Sequence, residues 1–285
     1  MPQIEDLVDI LTLEPIEVNL FRGRSPETSW GRIFGGQVIA QALIAAYNTV
    51  EGRLCHSLHA YFIRPGDPKA PVLYQVERAR DGKSFTTRRV AAIQHGEQIF
   101  NFAASFQIPE EGLDHQAGLP DVPMPDTLPD ELDTVFANSG DGIREMIRRR
   151  PIEHRPVDGY VPPSGPDKSA CATWMRAKAD VGDDVAFNQA VMAYASDYGM
   201  LASSMRPHDL TFRHPGMQVA SLDHAMWFHR PSRFNEWHLY THESPSTSGA
   251  RGFNRGAIHS IDGRLVASVA LEGLIRRRPP ADAEA

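Results

Sequence analysis

The sequence predicts an α+β protein built from two similar units, each with one long helix followed by an antiparallel sheet. Two observations lead to this prediction. A weak internal repeat runs through the 285-residue chain, and in each half a helical pattern precedes several strand-like runs. A helix followed by consecutive strands is typical of α+β folds, whereas a βαβ alternation would indicate a parallel sheet.

The repeat has an offset of 166 residues. It aligns Ala60-Tyr-Phe-Ile-Arg-Pro65 with Met226-Trp-Phe-His-Arg-Pro231. One inserted residue later, the turn at His95-Gly96 matches the turn at Asp262-Gly263. Because the register continues through the same order of elements, the repeat indicates a duplication.

The elements of the first half begin with a helix. Gly35-Gly36 precedes a stretch, 37–47, in which apolar residues recur at helical spacing. Runs rich in β-branched and aromatic residues follow, and these are typical of strands. The predicted strands are 54–63, 72–79, 85–94 and 98–107.

The second half repeats this order. Asp183 or Asp184 can cap a helix that continues to about residue 205. Strands are predicted at 219–229, 237–243, 251–260 and 265–275.

Between the halves, residues 108–170 contain ten of the 22 prolines and little periodicity, apart from a short basic helix at 142–150. Such a segment is typical of a linker on the protein surface. The sequence therefore predicts an N-terminal domain at 1–107, a Pro-rich linker at 108–170 and a C-terminal domain at 171–285.

Composition and charge exclude several classes of protein. The chain has 29 basic and 36 acidic residues and a pI near 5.9, so no strong positive field attracts a nucleic acid. The longest apolar run, 38–46, is shorter than the roughly 18 residues that cross a bilayer. Cys55 and Cys171 fit neither a zinc site nor a Cys-x-x-Cys pair. We expect no nucleic-acid or membrane partner, no metal, and a cytoplasmic location.

Local motifs give little support to other chemistries. The chain has no G-x-S-x-G elbow, no P-loop and no G-x-G-x-x-G after a strand. His56 and His59 are three apart in a predicted strand, so their side chains are expected on opposite faces, where they cannot share a metal. His59 shares a face with Tyr61 and could contact a ligand, although a hydrogen-bonded structural histidine is the commoner case. Asp223 and His224 diverge in the same way and are not expected to form a dyad.

One carboxylate stands out on the second predicted helix. Asp197 is three residues after Tyr194 and four before Leu201, both of which belong to an apolar stripe. Asp197 is therefore predicted to project onto the buried face. Burying an ionised carboxylate costs several kcal/mol unless it is paired or hydrogen-bonded. From periodicity alone, Asp197 is equally a structural cap or a catalytic base.

Several motifs run along the chain in a fixed order. They are Trp30-Gly-Arg-Ile-Phe-Gly-Gly-Gln37, His56-Ser-Leu-His-Ala-Tyr-Phe-Ile-Arg-Pro-Gly66, Asp81-Gly-Lys-Ser-Phe85, Ala193-Tyr-Ala-Ser-Asp197, Asp223-His-Ala-Met-Trp-Phe-His-Arg-Pro231 and Ala250-Arg-Gly-Phe253. Together they resemble the acyl-CoA thioesterase II family over nearly all of residues 14–277. The resemblance implies a double hot-dog fold, in which two fused domains each wrap an antiparallel sheet around a long helix. It also implies hydrolysis of acyl-CoA without cofactor, metal or covalent intermediate.

The resemblance also implies site residues. The family activates a water with an aspartate, a Thr or Ser, and a glutamine, and the matching positions here are Asp197, Ser221 and Leu271. Leucine can neither donate nor accept a hydrogen bond, so Leu271 is a departure, either natural or introduced by substitution. Substrate contacts are expected at positions within or beside the shared motifs, namely Gly36, Gln37, His59, Arg64 and Arg230.

Two functions remain open. The first is an acyl-CoA thioesterase weakened by Leu271, and the second is a non-hydrolytic acyl-CoA binding or sensing protein. A hot-dog hydratase is disfavoured, because no Asp and His with the hydratase spacing occur on one helix. Asp197 aligns with Ala45, so one water-activating site per chain is expected. Further association into a homo-oligomer is an expectation from the resemblance.

Overall fold

The computed structural model describes residues 5–26, 31–159, 165 and 167–278. The start of the first motif, at Trp30, lies outside these residues. The described strands form one antiparallel sheet of 13 strands, and one face of this sheet packs against the helices. The elements of the first half are α1 (Glu5–Leu11), β1 (Glu14–Glu17), β2 (Leu20–Gly23), α2 (Gly35–Tyr47), β3 (Leu54–Phe62), β4 (Val72–Asp81), β5 (Phe85–Gln94) and β6 (Glu97–Gln107).

The rest of the chain repeats this arrangement after an insertion. Short 3-10 turns occur at Pro125–Thr127 and Arg206–His208. The remaining elements are α3 (Asp141–Arg148), β7 (Ile152–Val157), β8 (Cys171–Ala177), α4 (Val185–Ser196), α5 (Met200–Met205), β9 (Met217–Ser221), β10 (Asp223–Phe228), β11 (His238–Ser248), β12 (Arg251–Ser260) and β13 (Leu265–Arg277).

The strand order shows the duplication directly. It reads β1-β2-β4-β5-β6-β3 in the first half and continues as β10-β13-β12-β11-β8-β7, with β9 also paired to β13. Counted inward from the two edges, β4, β5, β6 and β3 of the first half correspond to β11, β12, β13 and β10 of the second. The strands β3 and β10 pair with each other at the centre of the sheet. The predicted α+β, double hot-dog architecture is confirmed.

The two central helices cross at very short range. A Cβ added to Gly36 at the start of α2 would lie 2.2 Å from the carbonyl oxygen of Tyr194 in α4. Only glycine allows this approach, because every other residue carries a Cβ. The glycine pair in the sequence therefore brings the N-terminus of α2 to the C-terminal end of α4.

A bulge occurs at the same place in both halves. In β3 the register shifts between Cys55 and Ser57, and in the second half Leu222 separates β9 from β10, 166 residues later. Leu222 still bonds through its backbone to Glu272 and Phe62. Because one extra residue reverses the alternation of side chains, residues three apart across each bulge lie on the same face of the sheet.

This bulge corrects the expectation for His56 and His59. His56 contacts Ser105 Oγ at 2.8 Å, on the outer face of the sheet, and the exposed His59 packs edge-on against Trp227 on that same face. The prediction of opposite faces was wrong, because it assumed a regular strand. The two side chains do not converge on one atom.

Two further elements differ from the expectation. The helix predicted to continue to about residue 205 ends at Ser196, and a new helix begins at Met200 after Gly199 in the left-handed region at φ 73°. The predicted linker contains β7, which pairs with β8, and its Leu119 and Val122 pack against the cluster that includes Trp174. The domain boundaries at 107 and 170 remain a prediction.

No helix within the described residues is both long and apolar enough to cross a membrane.

Candidate active site

Asp197 is the C-cap residue of α4, and its carboxylate lies between the two halves of the protein. The backbone N–H of Gly36 donates to Oδ2 at 3.0 Å, and the hydroxyl of Ser221 donates to Oδ1 at 3.1 Å. The side chain is only 6% exposed. The N-terminus of α2 therefore faces a nearly buried carboxylate, which is a favourable arrangement for a negative charge.

Burial dominates the electrostatics of this group. Removal from water raises the pKa of Asp197 to about 7, although the bonds from Ser221 and Gly36 and the positive charge of Arg32 act in the opposite direction. A carboxylate with a pKa near neutrality is suited to take up and release a proton at physiological pH. The geometry thus favours a proton-transfer role over a purely structural cap.

The structure places Asp197 of the predicted trio at the end of α4, and Ser221 and Leu271 on the neighbouring strands β9 and β13. Ser221 at the end of β9 pairs with Gly273 of β13, two residues beyond Leu271. Leu271 is 1% exposed and pairs with the buried Asn254. Ser221 contacts Asp197 directly, whereas Leu271 contributes only apolar surface to the core.

Aromatic rings surround the end of α4. Phe34, which precedes α2, stacks on Tyr198 with 4.5 Å between ring centroids and meets Tyr194 edge-on at 5.1 Å. The guanidinium of Arg150, from the segment between the halves, lies 4.9 Å from the Tyr198 ring centroid. Asp197 thus lies at an enclosed end of α4, and burial is the largest cause of its raised pKa.

The predicted contact residues at the start of α2 are placed close to Asp197. The N–H of Gly36 bonds the carboxylate itself. The side chain of Gln37 is buried, and its Nε2 donates to the carbonyl of Arg24 and to Ser25 Oγ. Gln37 therefore fixes the segment before α2, and a direct contact with substrate remains a prediction.

The structure does not bring the other three predicted contact residues to Asp197. His59 lies on the outer face of the sheet. Arg64 donates to the carbonyl of Gln98, and Arg230 donates to the carbonyl of Leu265. Each arginine thus fastens the segment after a central strand to the neighbouring strand, and contact with substrate at these positions remains a prediction.

His224 is a site residue that the sequence reasoning missed. Its fully buried ring lies on the inner face, with Nδ1 4.0 Å from Asp197 Oδ1. The expectation that Asp223 and His224 form no dyad agrees with the geometry, because Asp223 accepts a bond from the N–H of Glu272 instead. The partner of His224 comes from α4, and no local sequence pattern indicates a contact between these two elements.

Among the described residues, no group of three or more His, Cys, Asp or Glu side chains is arranged to hold a metal ion. The chemistry available to Asp197 and Ser221 is the activation of a water by a general base, with the hydroxyl as a second polar contact.

Comparison with known proteins identifies the family. Profiles described as acyl-CoA thioesterase N-terminal domain and acyl-CoA thioesterase match residues 24–107 and 147–274. Acyl-CoA thioesterase 2 of Haemophilus influenzae is 39% identical over 279 residues, covering 96% of this chain and 98% of that protein. The chain belongs to the acyl-CoA thioesterase family.

Solved structures agree with this membership. The acyl-CoA thioesterase II TesB2 of Mycobacterium marinum superposes with a TM-score of 0.82 at 40% identity, covering 96% of this chain and 98% of that one. A hot-dog protein from Alicyclobacillus acidocaldarius, with a TM-score of 0.75 at 20% identity over 95% of this chain and 98% of its own, supports the fold alone. The predicted family, fold and enzyme class, a thioester hydrolase, are confirmed.

Proposed function

We propose that this member of the acyl-CoA thioesterase family hydrolyses acyl-CoA with a water activated by Asp197 and oriented by Ser221. The single observation that supports these roles is the contact set of Asp197. A nearly buried carboxylate with a raised pKa accepts hydrogen bonds from Ser221 Oγ and from the first turn of α2. A residue that only capped α4 would not require Gly36, from the other half of the protein, to bond its carboxylate.

The proposed reaction needs no metal or covalent intermediate. Asp197 takes a proton from water as the water oxygen attacks the thioester carbonyl carbon. The tetrahedral intermediate then collapses with cleavage of the C–S bond, and the departing sulfur receives the proton from Asp197. Because a thiolate is a good leaving group, no strong acid is required. The positive end of the α2 dipole favours the negative charge that develops on the carbonyl oxygen.

One such site is proposed per chain. The offset of 166 residues aligns Ser221 with Cys55 and His224 with Leu58, and both residues of the first half are buried and face the core. Ala45, the residue expected opposite Asp197, lies inside α2, whereas Asp197 follows the last residue of α4. At the corresponding end of α2, the Tyr47 hydroxyl accepts a bond from the backbone N–H of Cys55. A tyrosine hydroxyl with a raised pKa does not replace the carboxylate as a base near neutral pH.

The effect of Leu271 on the rate separates two functions, a weakened enzyme and a binding protein. We propose that it lowers the rate, since an apolar side chain cannot contact the water that the family glutamine would hold. The alternative, a non-hydrolytic acyl-CoA binding or sensing protein, draws on the same residue, because Leu271 is fully packed within the core.

A steady-state assay of thiol release from saturated acyl-CoAs of several chain lengths tests the proposal. We expect measurable turnover, and loss of ~10² to 10⁴ in kcat for Asp197→Asn, which keeps the shape but removes the proton acceptor. Asp223→Asn is the matched control, because Asp223 bonds a backbone N–H in the adjacent strand and not the site. Equal turnover in Asp197→Asn and its parent would show that Asp197 is structural. Acyl-CoA binding without turnover in the parent would favour the binding protein.

Association and compartment remain proposals. We expect a homo-oligomer, and size-exclusion chromatography with light scattering would detect it. A clean monomer would remove that expectation. The cytoplasmic location likewise stays a prediction, which fractionation of cells that express the protein would test.

A further inference from the structure

His224 has a buried nitrogen without a hydrogen-bond partner next to the candidate base. Its Nδ1 is inaccessible to solvent, finds no hydrogen-bond partner among the described residues, and lies 4.0 Å from Asp197 Oδ1. Buried polar atoms are nearly always paired, so this exception requires an explanation. The explanation depends on which ring nitrogen carries the proton.

The neighbouring serine indicates the tautomer. Ser196 has one hydroxyl hydrogen, and its Oγ lies 2.9 Å from the carbonyl oxygen of Ala193, which can only accept. We therefore assign the contact between Ser196 Oγ and His224 Nε2, at 3.0 Å, to an N–H of the ring. Burial lowers the pKa of His224 to about 3, so the ring is neutral near pH 7. Its single proton is on Nε2, and Nδ1 presents a bare lone pair to Asp197.

That lone pair discriminates between the two forms of Asp197. The ionised carboxylate and Nδ1 are both acceptors and cannot bond, which agrees with their separation of 4.0 Å. A protonated carboxyl can donate its hydrogen to Nδ1 after a small rotation. We propose that His224 is a positioning residue whose Nδ1 accepts a hydrogen bond from Asp197 Oδ1 once Asp197 has taken a proton from the attacking water. This inference rests on the proposed function.

The proton balance of the step is complete. The water oxygen bonds to the carbonyl carbon, the water proton moves to Asp197 Oδ1, and that O–H donates to Nδ1 of His224. When the C–S bond breaks, sulfur leaves with the electron pair and takes the same proton. His224 neither gains nor loses a proton, so no net charge is created on the ring inside the core.

The repeat provides an internal comparison. Leu58, at the position that corresponds to His224, lies in the half in which a tyrosine hydroxyl, that of Tyr47, bonds the residue aligned with Ser221. Thus the half that has the carboxylate also has the imidazole, and the half without it has a leucine. A histidine needed only to fill the core would not be expected to differ from Leu58 in this way.

Other charged or titratable groups also lie around Asp197. Arg32 lies before α2, Tyr198 follows Asp197 in the chain, and Tyr240 reaches it from β11. Only the positive charge of Arg32 favours the ionised carboxylate among these three. None of them offers a neutral acceptor at Oδ1, so removal of His224 changes a contact that the others do not supply.

The test compares His224→Phe and His224→Asn by kcat, KM and the pH profile of kcat. Phenylalanine keeps the volume without an acceptor, and we expect kcat to fall at least about tenfold with KM within about twofold. The acidic limb of the profile should move to lower pH, because a hydrogen bond to the neutral acid raises its pKa. Asparagine can present its amide oxygen near the Nδ1 position, so His224→Asn should retain more activity. Equal losses in both variants with an unmoved limb would overturn the inference.

A second measurement does not depend on activity. Nitrogen NMR of ¹⁵N-histidine-labelled protein should show His224 with a protonated Nε2 and a bare Nδ1 at pH 8. A proton on Nδ1 would overturn the inference even if His224→Phe failed to fold. Full turnover in Asp197→Asn would contradict the proposed function itself. Loss of turnover in Asp197→Asn, together with an unaltered kcat and pH profile in His224→Phe, would contradict only the inference about His224.

Discussion

At the scale of single residues, the candidate site combines Asp197, which the sequence indicates, with His224, which it does not. The apolar spacing around Asp197 was sufficient to predict a buried carboxylate, and the structure confirms that its side chain is only 6% exposed. His224 was not predictable in the same way. Strand alternation would place it on the face opposite to Ser221, and only the bulge at Leu222 turns both toward Asp197.

The burial of Asp197 should cost stability in a way that depends on pH. Its pKa is raised from 3.8 to about 7, so the unfolded chain ionises first as pH rises. Between pH 4 and 7 the native state therefore loses stability relative to the unfolded chain, and above pH 7 the penalty is complete. The pH dependence of stability due to Asp197 is thus opposite in sign to that of a salt-bridged aspartate, whose pKa is lowered.

We expect Asp197→Asn to be more heat-stable than its parent at pH 8 and nearly equal at pH 4. At roughly 1.4 kcal/mol per pKa unit, the difference in Tm should grow by roughly 5 °C or more across this range. Differential scanning fluorimetry of both proteins measures it. The buried histidines titrate in both proteins, so their contribution cancels in the difference. A constant difference in Tm would show that the pKa of Asp197 is not raised.

Leu271 is the residue at which resemblance and sequence disagree. If the missing glutamine limits the rate, Leu271→Gln should raise kcat by ~10² with little change in KM, because the added contact forms mainly in the transition state. Thiol release and Tm are measured for both forms. An unchanged rate with a lowered Tm would show that the core has repacked around leucine, since an unpaired buried amide is costly. That result would favour the binding protein.

At the scale of secondary-structure elements, β3 to β6 were predicted to within two residues at each end, because runs rich in β-branched and aromatic residues mark them. The strands β1, β2 and β8 were not predicted. β7 was also missed. It is a short edge strand that includes Pro156, and proline is tolerated at an edge but weakens the sequence pattern. The interruption after Ser196 was missed because the apolar spacing continues into α5, and only the φ of Gly199 shows the break.

The close crossing of α2 and α4 can be tested with glycine substitutions. A Cβ at Gly36 would lie 2.2 Å from the backbone oxygen of Tyr194, so we expect Gly36→Ala to lower stability by at least ~2 kcal/mol, with loss of turnover. Gly142 in α3 is exposed and has open space around it. Gly142→Ala is therefore the matched control and should stabilise by roughly 0.5 to 1 kcal/mol. Urea unfolding of the three proteins measures these changes. Equal stability for Gly36→Ala and the parent would contradict this helix packing.

At the scale of the whole molecule, the duplication produces one structural unit and not two independent ones. β3 and β10 pair through five residue pairs at the centre of the sheet, and one hydrophobic cluster includes residues from α2, α4 and the strands of both halves. Asp197 from the second half bonds Gly36 from the first. The candidate site therefore forms only when both halves are folded against each other.

We expect the two halves to unfold together in a single transition. If 1–107 separated from the rest, β3 would keep β6 but lose β10 as a hydrogen-bonded neighbour. In addition, α2 would expose the face that packs on α4, and both changes expose apolar surface that the intact protein buries. Differential scanning calorimetry should give equal van't Hoff and calorimetric enthalpies, and the fragment 1–107 should show no cooperative transition. Two resolved transitions, or a fragment that melts cooperatively, would mean that the central strands join units that are stable separately. The shared carboxylate site would then form by docking of prefolded halves.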